Sequence, residues 1–132
     1  MTAKITLTII GLVMFVQGVF FYFYAIPITQ NMFPTAGPEA LEVGRILREI
    51  LAGGSMFIGI ILFLARTNVT SAAKRILFGA SIGFSVILVI LIRISISHDT
   101  VSIPIAPLII LGICAAVSFI FGDLGFRHRR GY

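Results

Sequence analysis

Residues 76–96 read ILFGASIGFSVILVILIRISI, and Arg93 is the one charged residue among them. The hydrocarbon core of a bilayer is about 30 Å thick, and an α-helix needs roughly 20 apolar residues to cross it. A stretch of this length and composition therefore predicts a transmembrane helix. Its many Ile and Val residues would favour a strand in water, but in lipid the backbone N–H and C=O groups must pair within a helix.

Three further apolar stretches accompany this one. The four stretches cover residues 5–26, 46–65, 76–96 and 105–122. The first is longer than the hydrophobic region of a signal peptide, which is about 7–15 residues, so we expect a retained helix. Prolines fill the first connection, and Pro38 predicts an early start of the second helix. The sequence thus predicts an all-α integral membrane four-helix bundle, with residues 1–132 forming a single domain.

The composition excludes a water-soluble domain. Of the 132 residues, 58% are hydrophobic and 11% are charged, and the mean hydropathy is +1.10. Soluble domains carry about 25% charged residues, so this chain has too little polar surface to cover a soluble globule. The net charge of +5 does not indicate nucleic-acid binding, because the basic residues are scattered between apolar runs. Membrane lipids with anionic headgroups are the expected partners.

The Lys and Arg residues predict how the chain crosses the membrane, because short basic loops remain in the cytoplasm. With four spans, the N-terminus, the second connection and the C-terminus share one side. That side carries seven basic residues, and the other side carries three. The seven are Lys4, Arg66, Lys74, Arg75, Arg127, Arg129 and Arg130. We therefore expect both termini in the cytoplasm.

Two opposite charges lie inside the predicted spans at similar depth. Glu49 precedes Arg66 by 17 residues, and Arg93 follows Arg75 by 18, which corresponds to about 25 Å and 27 Å of helix. Charged residues within a membrane usually face the interior of the bundle. We therefore expect an ion pair between Glu49 and Arg93 near the outer boundary.

This polar cluster has two interpretations. In the first, the ion pair is structural and holds the register of two helices. In the second, Arg48 and Arg93 form a positive pocket, open to the outer side, for a carboxylate or phosphate group. His98 and Asp99 in the third connection then either close this pocket or form a solvated loop. The candidate ligand-binding residues are therefore Arg48, Glu49, Arg93 and Asp99.

Glycine residues mark the expected helix contacts. Gly79 and Gly83 form a small-xxx-small motif on the stripe that also carries Arg93, and such motifs let helix backbones approach closely in a membrane. On the second helix, Gly53 is expected to allow a similar approach, and Gly112 marks another small-residue face on the fourth. We expect these four glycines to mediate helix packing.

The sequence carries no pattern typical of an enzyme. No nucleophile lies beside a base at a recognisable spacing, so we expect neither catalytic residues nor enzymatic activity. His98 and His128 fall on opposite sides of the membrane, and no Cys/His spacing indicates a metal or a cofactor. Gln17 lies in the middle of the first span, where we expect its amide to set helix register by hydrogen bonding across the bundle.

The stretch from Arg48 to Arg93 resembles a bacterial family of small four-helix membrane proteins of unknown function, domain of unknown function 4345. The features that carry this resemblance are Arg48, the pair Gly53-Gly54, Gly59, a basic second connection, and Arg93 at the end of the third helix. The resemblance implies a four-helix architecture and no established activity. It also implies a bacterial inner membrane as the location.

Two functions from different classes follow. The first is a non-enzymatic interaction or accessory protein that forms a homo-oligomer or joins a larger membrane complex through its glycine faces. The alternative is a binder or transporter of a small acidic solute or lipid through the outer Arg/Glu site. A tight interior with glycine stripes turned toward another chain would favour the first, and a cavity that reaches Arg48 and Arg93 would favour the second.

Overall fold

The computed structural model describes residues 2–97 and 103–123, which form five α-helices. The helices are α1 (Ala3–Phe23), α2 (Ala25–Met32), α3 (Pro38–Ala65), α4 (Thr70–Ser97) and α5 (Ile105–Asp123). Of these, α1, α3, α4 and α5 are long and apolar enough to cross a membrane. No strand occurs within the described ranges. The predicted all-α fold with four apolar helices of spanning length is confirmed.

The chain after the first span differs from the prediction. The first span is predicted to reach Ile26, yet α1 ends at Phe23 and a separate short helix, α2, begins at Ala25. Pro27 lies in the first turn of α2, where its missing N–H costs no helical hydrogen bond. The sequence pattern hides α2 because its proline and its polar residues are also typical of a loop.

The other spans begin at or before their predicted residues. Helix α3 starts at Pro38, as predicted, after Gly37 in an extended conformation, and Glu39 in its first turn complements the helix dipole. Helix α4 starts at Thr70 rather than at residue 76, so Lys74 and Arg75 belong to its first turns, whereas Arg66 caps the end of α3. Helix α5 starts at Ile105, as predicted.

The spanning helices pack as two pairs. Helix α1 packs mainly against α3, and α4 packs mainly against α5. Contacts of α1 with α4 and α5 are sparse, and α3 hardly touches α4. The short helix α2 lies against α3. The bundle therefore consists of a tight α1/α3 pair and a tight α4/α5 pair that meet loosely along α1.

Glycine allows the close approach within each pair. A Cβ atom on Gly11 would lie 2.8 Å from the carbonyl oxygen of Gly59, and one on Gly59 would lie 2.7 Å from that of Gly11. In the other pair, a Cβ atom on Gly122 would lie 2.8 Å from the backbone nitrogen of Phe78. The helix backbones are therefore in direct contact at these positions, as is typical of membrane helices.

The main buried cluster consists of apolar side chains from all four spanning helices. Leu7 of α1 and Leu77 of α4 are fully buried, and Phe84 and Leu111 lie in the same cluster. Large apolar side chains also cover much of the outer surface of the spanning helices. An apolar exterior suits lipid, since hydrocarbon solvates Leu and Ile as well as a protein core does.

Several predicted features lie outside the described residues. These are His98, Asp99, His128 and the C-terminal basic cluster of residues 127–130.

Candidate functional site

The predicted ion pair between Glu49 and Arg93 is wrong. Glu49 accepts a hydrogen bond at Oε1 from Nε of Arg45, at 2.9 Å, one turn earlier on the same helix. Nη1 of Arg45 also lies 3.6 Å from Oε1 of Glu42. Arg45 thus holds both carboxylates in an intrahelical network on a half-exposed surface. Such pairs contribute little to stability, because water already solvates the charges.

Helix pairing explains why Glu49 and Arg93 do not meet. Glu49 lies on α3, which packs on α1 and α2, whereas Arg93 lies on α4, which packs on α5. Arg93 is exposed, next to Val89 and Ile96 on its own helix. Similar depth in the membrane is necessary for an ion pair, but it does not determine which helices are neighbours. The structure therefore does not bring the predicted cluster together.

Arg48 occupies a different environment, formed by α1 and α2. Its Nε donates a hydrogen bond to Oγ1 of Thr29 at 3.3 Å, and its Nη2 contacts the sulfur of Met32. The guanidinium lies 5.9 Å from the ring centroid of Phe21. The Thr29 hydroxyl is itself buried and donates to the carbonyl of Ala25 at 2.7 Å, which leaves its oxygen free to accept from Arg48. Through these contacts, Arg48 of α3 stabilises the packing of α2 against α3.

The charge of Arg48 has no acidic partner among the residues that the structure describes. Its contacts are a hydroxyl, a thioether and an aromatic face, all of which are neutral. A half-buried guanidinium with neutral neighbours attracts an anion more strongly than one that is already paired. Sequence analysis named Arg48 but missed Thr29 and Met32, because α2 was not predicted.

Three of the four predicted packing glycines face outward, and the fourth, Gly112, faces a side chain of α4. A Cβ atom on Gly53, Gly79 or Gly83 would meet no atom within 4 Å in the described structure. A Cβ atom on Gly112 would reach only the Cδ2 atom of Leu88 at 4.0 Å, which is an ordinary contact. Among the described residues, none of the four therefore forms a backbone-to-backbone contact, and the expected approach at Gly53 is wrong there.

The glycines that do pack closely follow a different pattern. Gly11 and Gly18 lie one heptad apart on α1, and Ala52 and Gly59 lie one heptad apart on α3. Gly11 meets Gly59, while a Cβ atom on Gly18 would lie 2.7 Å from the carbonyl oxygen of Ala52. Small residues at heptad spacing on two antiparallel helices form one continuous seam. This spacing is visible in the sequence and could have identified the pair.

A cavity of about 480 Å³ lies between the two helix pairs. Its walls come from residues 12–21 of α1, from Ile28 of α2, and from residues 104–110 at the start of α5. Among the described lining residues, only Gln17 has a polar side chain. Neither Arg48 nor Arg93 belongs to the described lining, although Phe21 lines the cavity and also contacts Arg48. The cavity is therefore a cleft with almost entirely apolar walls, and Gln17 contributes its carbon atoms rather than its amide to them.

Gln17 does not form the predicted hydrogen bond across the bundle. The side chain is buried, with 9% of its surface exposed, and its Oε1 atom has no hydrogen-bond partner among the described residues. A buried polar atom without a partner costs about 1–3 kcal/mol. The unpaired Oε1 atom therefore lowers the stability of the bundle that the described residues form.

The described part of the chain contains no group of three or more His, Cys, Asp or Glu residues that could hold a metal ion. Comparisons with known proteins add no function, because no protein-family model, no curated protein and no solved structure matches this chain. The resemblance of residues 48–93 to the bacterial four-helix family therefore remains a prediction.

Proposed function

We propose that the protein is a non-enzymatic membrane interaction protein that self-associates through the glycine face of α4. This face, defined by Gly79, Gly83, Val86 and Ile90, is exposed along its whole length. The observation that carries the proposal is that a Cβ atom on either glycine would meet no neighbour within 4 Å in the described structure.

An open glycine on a membrane helix favours contact with another helix. Glycine lowers helix propensity by about 1 kcal/mol relative to alanine and gains nothing from a lipid neighbour. It does allow a second backbone to approach, and the same chain uses glycine in this way between Gly11 and Gly59. The exposed motif on α4 is therefore best explained by a helix of another chain.

A second copy fits this face. A shallow groove of about 430 Å³ runs between α4 and α5 next to the glycines, and Val86 and Ile90 belong to both the groove and the glycine face. Two copies inserted with the same orientation can meet here about a two-fold axis along the membrane normal. Each copy then places its apolar side chains in the groove of the other.

Cysteine cross-linking in native membranes tests this proposal. Val86→Cys, made in a Cys114→Ala background, is expected to form disulfide-linked dimers under mild oxidation. Val43→Cys, at an exposed position of α3, is the control and is expected to remain monomeric. Gly83→Leu is expected to reduce the cross-linked fraction several-fold because the larger side chain separates the two backbones.

Gly54→Leu is the matched control for Gly83→Leu, since Gly54 is equally open but lies on α3. Equal cross-linking at positions 43 and 86, or equal loss with Gly54→Leu and Gly83→Leu, would contradict a specific α4 interface. Native mass spectrometry in mild detergent then reports whether the partner is a second copy or a different membrane protein. A different protein as the partner would contradict self-association.

Arg48 supports a second candidate function, the binding of an anionic lipid headgroup. The supporting observation is the absence of an acidic partner for this half-buried guanidinium within the described structure. Arg48→Gln is expected to reduce the retention of phosphatidylglycerol relative to phosphatidylcholine in native mass spectrometry. Arg93→Gln is the control, because Arg93 is exposed and lies away from α2. Equal loss in both variants would indicate nonspecific charge attraction.

We further propose a bacterial inner membrane as the location, with both termini in the cytoplasm. The basic residues Arg66, Lys74 and Arg75 at the α3–α4 connection support this orientation. Thr67→Cys and Thr35→Cys, both in the Cys114→Ala background, test it in intact cells. A membrane-impermeant thiol reagent is expected to label position 35 and not position 67. The reverse labelling would contradict the orientation.

A further inference from the structure

We infer that Met32 is a modification site, at which hydrogen peroxide converts the thioether to a sulfoxide whose oxygen then accepts a hydrogen bond from the Arg48 guanidinium. Oxidation at this position therefore strengthens the packing of α2 against α3. The inference rests on the contact between Nη2 of Arg48 and the sulfur of Met32. It goes beyond the proposed functions, because it requires neither self-association through α4 nor a bound lipid.

Met32 is placed where a polar oxidant can reach it. It is the last residue of α2, it is partly exposed, and the irregular connection of residues 33–37 follows it. The other methionines that the structure describes lie within spanning helices. Met14 is 4% exposed in the middle of α1, and Met56 packs against Gly18 on the α1/α3 seam. A polar oxidant enters hydrocarbon poorly, so it reacts first with the sulfur of Met32.

The reaction transfers one oxygen atom from the peroxide to the sulfur. A sulfur lone pair attacks one peroxide oxygen, so that an S–O bond forms while the O–O bond breaks. The departing hydroxide takes the proton from the transferred oxygen and leaves as water. The sulfur is oxidised by two electrons and the peroxide is reduced by two. The product is a neutral, polar sulfoxide, which methionine sulfoxide reductases convert back to the thioether.

The guanidinium of Arg48 is already directed at the atom that would be oxidised. Its Nε is held by the hydroxyl of Thr29, while its Nη2 contacts the sulfur of Met32. Arg48 has no acidic partner in the described structure, and a guanidinium has five N–H donors, so donors remain for a new acceptor. The sulfoxide oxygen therefore forms where a charged donor can bind it at once.

The gain comes from replacing a weak acceptor with a strong one. A thioether sulfur accepts hydrogen bonds weakly, whereas a hydrogen bond from a charged donor to oxygen is roughly twice as strong as a neutral one. Oxidation of methionine in an apolar core has the opposite effect, because the new oxygen is buried without a partner. At Met32 the partner is already in place on the neighbouring helix.

Amide hydrogen exchange of α2 tests the inference. The full chain, in the Cys114→Ala background, is treated with dilute hydrogen peroxide in a neutral detergent free of anionic lipid. Mass spectrometry of peptides is expected to show one added oxygen atom at Met32 before any at Met14 or Met56. Exchange of the α2 amides is then expected to slow about three- to tenfold, because separating α2 from α3 must break the new hydrogen bond. Methionine sulfoxide reductase is expected to restore the original rate.

Three variants assign the effect to the pair. Met32→Leu cannot be oxidised at this position, so peroxide is expected to leave its α2 exchange unchanged. Arg48→Leu keeps the methionine but removes the donor, so oxidation is expected to produce no slowing. Arg93→Leu is the matched control for loss of an arginine, because Arg93 is exposed on α4, and it is expected to retain the slowing.

A variant that needs no oxidant gives a second test. Met32→Gln places an amide oxygen close to the position of the sulfoxide oxygen, and its α2 exchange is expected to be slower than that of Met32→Leu. This difference is expected to disappear when Arg48→Leu is added. The unfolding temperature of each variant shows whether it folds, and the comparison of Met32→Gln with Met32→Leu stands if Arg48→Leu does not.

Three results would overturn the inference. The first is faster or unchanged α2 exchange after oxidation of Met32 in the chain that retains Arg48. The second is equal slowing in Arg48→Leu. The third is oxidation of Met14 or Met56 ahead of Met32, since this would show that the sulfur of Met32 is not the accessible one.

Discussion

The α1/α3 seam and the exposed glycine face of α4 use the same residue in opposite environments. On the seam, Gly11 and Gly59 bring two backbones so close that a single Cβ atom would lie 2.7–2.8 Å from a carbonyl oxygen. On α4, a Cβ atom on Gly79 or Gly83 would meet no described atom within 4 Å. A glycine motif therefore predicts that a helix can be approached, but it does not identify the approaching helix.

The largest change in the free energy of unfolding is expected from a substitution on the α1/α3 seam. Gly59→Ala introduces a Cβ atom against the backbone atoms of Gly11 and Phe15, which cannot move aside as a side chain would. Overpacking of this kind costs about 1–3 kcal/mol, from which the gain in helix propensity subtracts up to about 1 kcal/mol. We expect the free energy of unfolding to fall by about 1–2 kcal/mol, measured by steric trapping or denaturant titration in detergent.

Gly54→Ala is the control for this prediction, because Gly54 lies on the same helix with open space around it. If Gly59→Ala is as stable as Gly54→Ala, the helices of the seam are not in backbone contact.

A smaller effect of opposite sign is expected on the face of α4. The new methyl group of Gly79→Ala meets no neighbour among the described residues, so the variant gains helix propensity without a clash. We expect the free energy of unfolding of the monomer to rise by up to about 1 kcal/mol. The measurement is made at high dilution in detergent, where any dimer dissociates. A loss of stability in the monomer would show that Gly79 is packed within the chain.

The smallest effect concerns the hydrogen bond that crosses the seam. The hydroxyl of Ser55 on α3 donates to the carbonyl of Met14 on α1 at 2.9 Å. Interhelical hydrogen bonds in membrane proteins contribute about 0.6 kcal/mol on average, so Ser55→Ala is expected to lower stability by about that amount.

Ser85→Ala is the matched control, because the Ser85 hydroxyl bonds to the carbonyl of Ser81 within the same helix at 2.8 Å. This variant is expected to change the unfolding free energy less than Ser55→Ala does. A larger loss for Ser85→Ala would show that the polar contact across the seam is not the stabilising one.

Sequence analysis predicted the candidate site less well than the fold. It named Arg48 and Gln17, both of which have unusual surroundings, since a polar residue within an apolar stretch is visible without a structure. It assigned both the wrong contacts. The guanidinium of Arg48 bonds to Thr29 on a helix that was not predicted, and Gln17 makes no hydrogen bond across the described bundle. Contacts between helices depend on which helices are neighbours in the membrane. The depth of a residue along its own helix does not specify this.

The sequence by itself determined that this chain forms four apolar helices of spanning length, because hydrophobic length and the need to pair backbone groups are local properties of each segment. Only the tertiary structure decided that α3 lies beside α1 rather than α4, that Glu49 pairs with Arg45, and that an apolar cleft separates the two helix pairs. Lipid solvates every apolar helix face about equally well, so hydrophobicity does not select the neighbours of a helix. The choice depends on which small-residue faces fit each other. The sequence shows several such faces, including the heptad-spaced small residues of α1 and α3, but only the placed helices show which of these faces meet.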